Sequence, residues 1–121
     1  MQKDESRKET KPMDRADLYT YRVLWSSEDD EFVGLVAEFP SLSHLATERH
    51  AALEGIVGLV REVLQDMETS GEMPPEPLAQ KQYSGELRLR MPPAMHKKLA
   101  IEAAEEKTSL NAVIVRRLAA F

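Results

Sequence analysis

The stretch "SGELRLRMP" sets one glutamate and two arginines against three apolar residues. Glu86, Arg88 and Arg90 alternate with Leu87, Leu89 and Met91, which is the two-residue period of a strand. A guanidinium is a rigid fork of donors that pairs bidentately with guanine O6 and N7, or with phosphate oxygens. A carboxylate beside it can accept a hydrogen bond from cytosine N4. The chemistry on offer is recognition of nucleic acid rather than bond making. The same face also suits a dimerisation module whose arginines are simply solvated.

Other candidate groups point less far. A metal-dependent nuclease needs several carboxylates converging on divalent ions. Asp29, Asp30, Glu31 and Glu38 are available, but the first three share one turn, and a charged turn is ordinarily just solvated. His44, His50 and His96 lack metal-ligand spacing, and Ser26-Ser27 lacks a glycine elbow. "GIVG" at Gly55–Gly58 has the letters of an RNA-clamping loop, yet it interrupts an apolar helical stripe, so close helix packing accounts for it better. Trp25 and the tyrosines are expected in the core. The expectation is no enzyme, no metal and no cofactor.

The elements that must carry these residues can be read along the chain. Residues 1–16 are charged and aperiodic, and read as a disordered arm. "LYTYRVLW" places Tyr19, Tyr21, Val23 and Trp25 on one strand face. "SSEDDE" then turns into a second strand, "FVGLVAEF", and "SLSHLAT" supplies a short third. Thr47 is the expected N-cap of a helix whose stripe is Leu53, Ile56, Val57, Val60, Leu64 and Met67. Gly71 stops it, and Pro74, Pro75 and Pro77 make residues 71–82 a semi-rigid linker. This leaves a domain over 17–70 and a second over 83–121.

The second module reads as strand, helix, helix, with Pro93 opening the first helix and Ser109 capping the second. Met95, Leu99 and Ala103, then Leu110, Val113, Ile114, Leu118 and Phe121, form its apolar faces. About 40 residues rarely bury enough apolar surface to stand alone. A strand pairing with its own copy across a two-fold axis would supply the missing core and double the arginine face into a ribbon that fits the major groove. The N-terminus of the last helix, at Ser109, Leu110 and Asn111, offers amides suited to phosphate.

The 121 residues carry no cysteine, which excludes disulfides and thiolate metal sites and fits a reducing compartment. No apolar run approaches the ~20 residues that span a bilayer, so a soluble cytoplasmic protein without a membrane partner is expected. The net charge of −5 is unevenly divided. Residues 17–82 hold four Lys/Arg against thirteen Asp/Glu, a net −9, whereas residues 83–121 hold seven against four, a net +3. The two modules suit different partners.

"GELRLRMPPAMHKKLAIEAAEEKTSLNAVIVRRLAAF" resembles the ribbon-helix-helix domain of bacterial repressors and antitoxins. The resemblance implies base reading by Glu86, Arg88 and Arg90, and phosphate holding by the backbone at Ser109, Leu110 and Asn111. Lys107 stands where that family often has glycine, and a left-handed backbone costs a lysine about 1 kcal/mol, so a differently shaped turn is expected. Upstream, "EFVGLVAEFPSLSHLAT", "AALEGIVGLVREVLQDM" and the "EPLA" after the helix resemble the amino-terminal domain of HicB-type antitoxins. That likeness implies an α+β chain, with a degenerate RNase H-like sheet packed on a helix ahead of the ribbon module. It implies as partners a HicA-type mRNA-cleaving toxin, operator DNA and a second copy, with a tetramer left open. The implied function is an antitoxin that neutralises its toxin and represses its own operon. The alternative is a ribbon-helix-helix regulator whose front domain senses a ligand or mediates assembly.

Overall fold

A computed structural model describes residues 14–120, and among these described residues three antiparallel strands and three α-helices form an α+β architecture. The chain divides into two compact units between Gln82 and Tyr83. Residues 1–13 of the expected arm, and Phe121, lie outside the described residues.

In the first unit, β1 (Tyr21–Ser26), β2 (Glu31–Val36) and β3 (Ser43–Ala46) form a sheet in the order β1-β2-β3. The four residues between β1 and β2 turn tightly, with Asp30 at φ 56° and the Ser26 hydroxyl donating to the Asp29 carboxylate at 2.8 Å. The long helix α1 (Arg49–Ser70) packs on one face. Glycine makes this close approach possible. A Cβ on Gly34 would lie 2.5 Å from the Ala52 carbonyl oxygen, and one on Gly55 would lie 1.9 Å from the His44 ring. Gly58 has no neighbour within 4 Å of such an atom. The packing account of "GIVG" therefore holds at Gly55 and not at Gly58.

The core of this unit is Ala16, Tyr19, Val36, Ile56 and Val60, with Tyr21, Phe39, Leu42 and Leu64 packed around it. Two expectations need correction here. Tyr19 precedes β1 instead of lying in it, and Trp25 is 48% exposed, meeting Phe32 edge-on. Trp25 sits at the sheet corner, where neighbouring cover from α1 is thin: Leu53 on that helix is itself exposed. Tyr83 is exposed as well.

Residues 14–16, read as part of the arm, are folded onto this unit. Arg15–Leu18 make a 3-10 turn capped by Asp14, whose carboxylate accepts from the Ala16 amide and pairs with Arg61 at 2.8 Å. Ala16 is fully buried, and its carbonyl accepts the Tyr21 hydroxyl at 2.6 Å. Helix α1 starts after Glu48, which makes no side-chain cap bond, so Thr47 is not its N-cap. It ends as expected at Gly71, which adopts φ 78°. The amides of Gly71 and Glu72 close back onto the Glu68 and Met67 carbonyls, the paired bonds of a left-handed helix stop.

The proline-rich segment is docked where it leaves α1. The Tyr19 hydroxyl donates to the Pro75 carbonyl at 2.7 Å, the Leu78 amide donates to Glu38 at 2.9 Å, and Pro77 is buried.

In the second unit, α2 (Pro93–Glu105) opens on Pro93 and α3 (Leu110–Leu118) is capped by Ser109, whose hydroxyl accepts the Ala112 amide at 3.0 Å. Between them Lys107 takes φ 57°. The Lys107 and Thr108 amides bond to the Ala104 and Ala103 carbonyls at 3.2 and 3.0 Å. This is the same stop that Gly71 makes, built here with a lysine. The differently shaped turn is thus a wrong expectation: two hydrogen bonds offset the local strain. Glu102 on α2 pairs with Arg117 and, at 3.4 Å, with Arg116, which also meets Glu106 at 2.8 Å. Only Ala103 and Val113 are buried among the described residues of this unit.

The expected strand over Ser84–Pro92 does not form in the single chain. Residues 86–92 take no regular structure, and the Ser84 hydroxyl accepts the Glu86 amide at 3.0 Å. A ladder needs a second backbone, and no described segment lies alongside this one as a strand.

Candidate functional site

The arginine segment and the two helices behind it make up the candidate site. Glu86, Arg88 and Arg90 are all exposed. Among the described residues neither arginine has an ion-pair partner, in contrast to Arg116 and Arg117, which the α2 carboxylates occupy. Two of the unit's cations are therefore spent on holding α3 to α2, and the arginines of the segment remain open to a ligand.

The apolar side chains of the same segment are equally open. Leu87 is 81% exposed and Leu89 52%. Leu89 and Met91 join Met95, Leu99, Ile114 and Leu118 around a hollow of about 550 Å³. In a unit with two buried residues, this is where its apolar surface has gone. Such a surface in water is costly at roughly 25 cal/mol per Å² of apolar area, and a contiguous patch of this kind marks an interface.

At the start of α3, Ser109 satisfies the Ala112 amide, and the Val113 amide reaches the Ser109 carbonyl at 3.2 Å. The amides of Leu110 and Asn111 precede the helix's own ladder, as the first amides of any helix do. Leu110 is half-buried and Asn111 exposed, so the side chain of the first anchors while the second faces solvent.

The carboxylates considered for catalysis do not converge. Glu31 opens β2, whereas Glu38 follows its far end, about 17 Å away at ~3.4 Å per strand residue. Glu38 accepts the Thr20 amide at 2.9 Å, the Thr20 hydroxyl at 3.0 Å and the Leu78 amide. Burial raises its pKa, but these hydrogen bonds outweigh it and hold the carboxyl below its ordinary value. Among the described residues no three His, Asp or Glu side chains come together to hold a metal. His44 packs on Gly55 in the helix–sheet interface, a role that its spacing did not announce. The Tyr21 hydroxyl is pushed up to about 12, first by burial and then by the charge of Asp17.

No helix among the described residues is long and apolar enough to cross a membrane. No curated protein and no solved structure matches the chain. The model of the HicB family matches residues 68–118, from the last turn of α1 through the docked prolines to the end of α3. That match covers the arginine segment and both helices behind it, and it supports a HicB-type protein with an antitoxin-like role.

Proposed function

We propose that the protein is an antitoxin that occludes a HicA-type mRNA-cleaving toxin through its first unit and represses its own operon through its second. The observation that carries this reading is the HicB family match over residues 68–118. The second unit then acts as a ribbon-helix-helix module. Residues 86–90 pair with the same residues of a second copy, and the open leucine and methionine side chains become a shared core. Glu86, Arg88 and Arg90 face the major groove, and the backbone at Ser109, Leu110 and Asn111 holds a phosphate. The first unit is a degenerate RNase H-like fold that binds and does not cleave.

The reading requires a small basic protein encoded beside this chain, and it is tested in cells by expressing that protein. Alone it should arrest growth, and co-expression of the full chain should restore it. A neighbour that is harmless, or whose arrest persists in the presence of this chain, overturns the reading.

A further inference from the structure

One face of the sheet lies under α1, and the other is not covered by any described element of the first unit. Gly34 and Val36 face the helix, so strand alternation turns Val33 and Leu35 to the opposite side. The register then builds a row across the sheet on that side, Leu24 opposite Val33 and Val33 opposite Leu45. The next row is Arg22, Leu35 and Ser43. Leu24 and Leu45 are each 41% exposed. Beyond Leu35 the face continues into a hollow of about 390 Å³ bordered by Arg22, Pro40 and Leu42. A sheet with one face in water ordinarily alternates polar residues outward. Here four of the outward positions are aliphatic, which is the mark of an interaction surface.

Charge identifies the occupant. Toward the β1–β2 turn the apolar row gives way to Glu31, with Glu28, Asp29 and Asp30 beyond it. Residues 17–82 carry a net charge of −9. A second copy would set one strongly acidic unit against another, and a nucleic acid or an anionic membrane would be repelled. A basic protein gains from both parts: apolar contact at the centre and attraction at the acidic rim.

We propose that the helix-free face of the sheet, centred on Leu24, Val33 and Leu45 and bordered by the acidic turn, is the docking surface for a basic protein partner. The partner's identity as the toxin rests on the antitoxin reading above.

The test uses the full chain and the purified basic protein that the antitoxin reading requires beside it. Leu24→Ser with Leu45→Ser should weaken binding about tenfold or more, as truncation at the centre of an interface does. Gln65→Ser, on the exposed side of α1, should leave the affinity unchanged. Both leucines are exposed, so the double variant should keep the wild-type melting curve. Independently, Glu28→Gln with Asp30→Asn and Glu31→Gln should slow association and flatten its salt dependence. Wild-type binding that neither set of substitutions alters overturns the face and leaves the antitoxin reading standing. Absence of wild-type binding overturns the antitoxin reading as well. Loss of self-association in the leucine variant, with toxin affinity unchanged, shows that a second copy occupies the face and refutes the proposal.

Discussion

The Glu38 carboxylate accepts the Leu78 amide at 2.9 Å, tying the end of the β1–β2 hairpin to the proline-rich segment 40 residues further on. The same carboxylate oxygen accepts the Thr20 hydroxyl, so one side chain holds the start of β1 and the departing chain together. Its pKa is held below the ordinary 4.5 of a glutamate despite the opposing effect of burial. A carboxyl with a folded pKa below its unfolded one contributes stability that is present above the unfolded value and lost as pH falls through the folded value. Asp14, lowered first by its hydrogen bond from Arg61, behaves in the same way.

The expected outcome is that residues 72–80 loosen as pH falls below about 4.5. Glu38→Gln should remove much of that pH dependence, leave the Asp14 contribution, and cost about 1 kcal/mol at neutral pH by weakening the acceptor. Limited proteolysis with the cut sites mapped reads this out. A variant no more sensitive at 72–80 than wild type contradicts the clasp.

Lys107 occupies a conformation that glycine adopts freely. Lys107→Gly should stabilise the second unit by up to about 0.5 kcal/mol, the left-handed strain relieved less the extra backbone entropy of glycine. Lys107→Ala should give no such gain. Thermal melting of the two variants compares them directly.

Gly34 is held to glycine by the Ala52 carbonyl oxygen, which belongs to the backbone and cannot rotate aside. Gly34→Ala should destabilise the first unit by about 1–3 kcal/mol, the usual cost of overpacking. Strand propensity favours alanine over glycine by well under that amount. Denaturant unfolding monitored at Trp25 measures the difference.

If the open hollow around Leu89 is the face a second copy covers, Leu89→Glu should convert a dimer to a monomer. Sedimentation of the full chain at micromolar concentration decides between them, and an unchanged dimer would place the interface elsewhere.

Arg88→Ala and Arg90→Ala separate two kinds of DNA contact. Loss of a bidentate guanine contact should cost about 1–3 kcal/mol per contact and relax preference at one base. A phosphate contact would weaken operator and scrambled DNA alike and lower the salt slope. Base reading is expected for Arg90, with Glu86→Gln tightening non-specific binding. Isotherms on both DNAs at two salt concentrations distinguish these cases.

The sequence was most legible where signals are local. The three strands of the first unit, the Gly71 stop, Pro93 at a first turn and Ser109 as a cap each depend on a few neighbouring residues and are found close to where they are expected, whereas the same alternation over Ser84–Pro92 gives no strand. What escaped was set by distant partners. Nothing near Glu38 announces a bond to Leu78, and nothing near Asp14 announces Arg61. Lys107 was misread because propensity disfavours it, while two backbone bonds hold it in place. Trp25 was misread because an aromatic on an alternating strand is ordinarily buried, and here it lies at the sheet's corner. For the candidate site, spacing was enough to find the arginines and the apolar positions behind them. The strand they were assigned to needs a neighbour that a single chain does not contain.

The most direct measurement is the rate at which the toxin that the antitoxin reading requires cleaves a defined RNA as the purified full-length chain is titrated in. The account predicts that cleavage falls in proportion to added protein and stops near equivalence, with Arg88→Ala and Arg90→Ala as effective as wild type. Undiminished cleavage at several-fold excess, with both proteins folded, would contradict it.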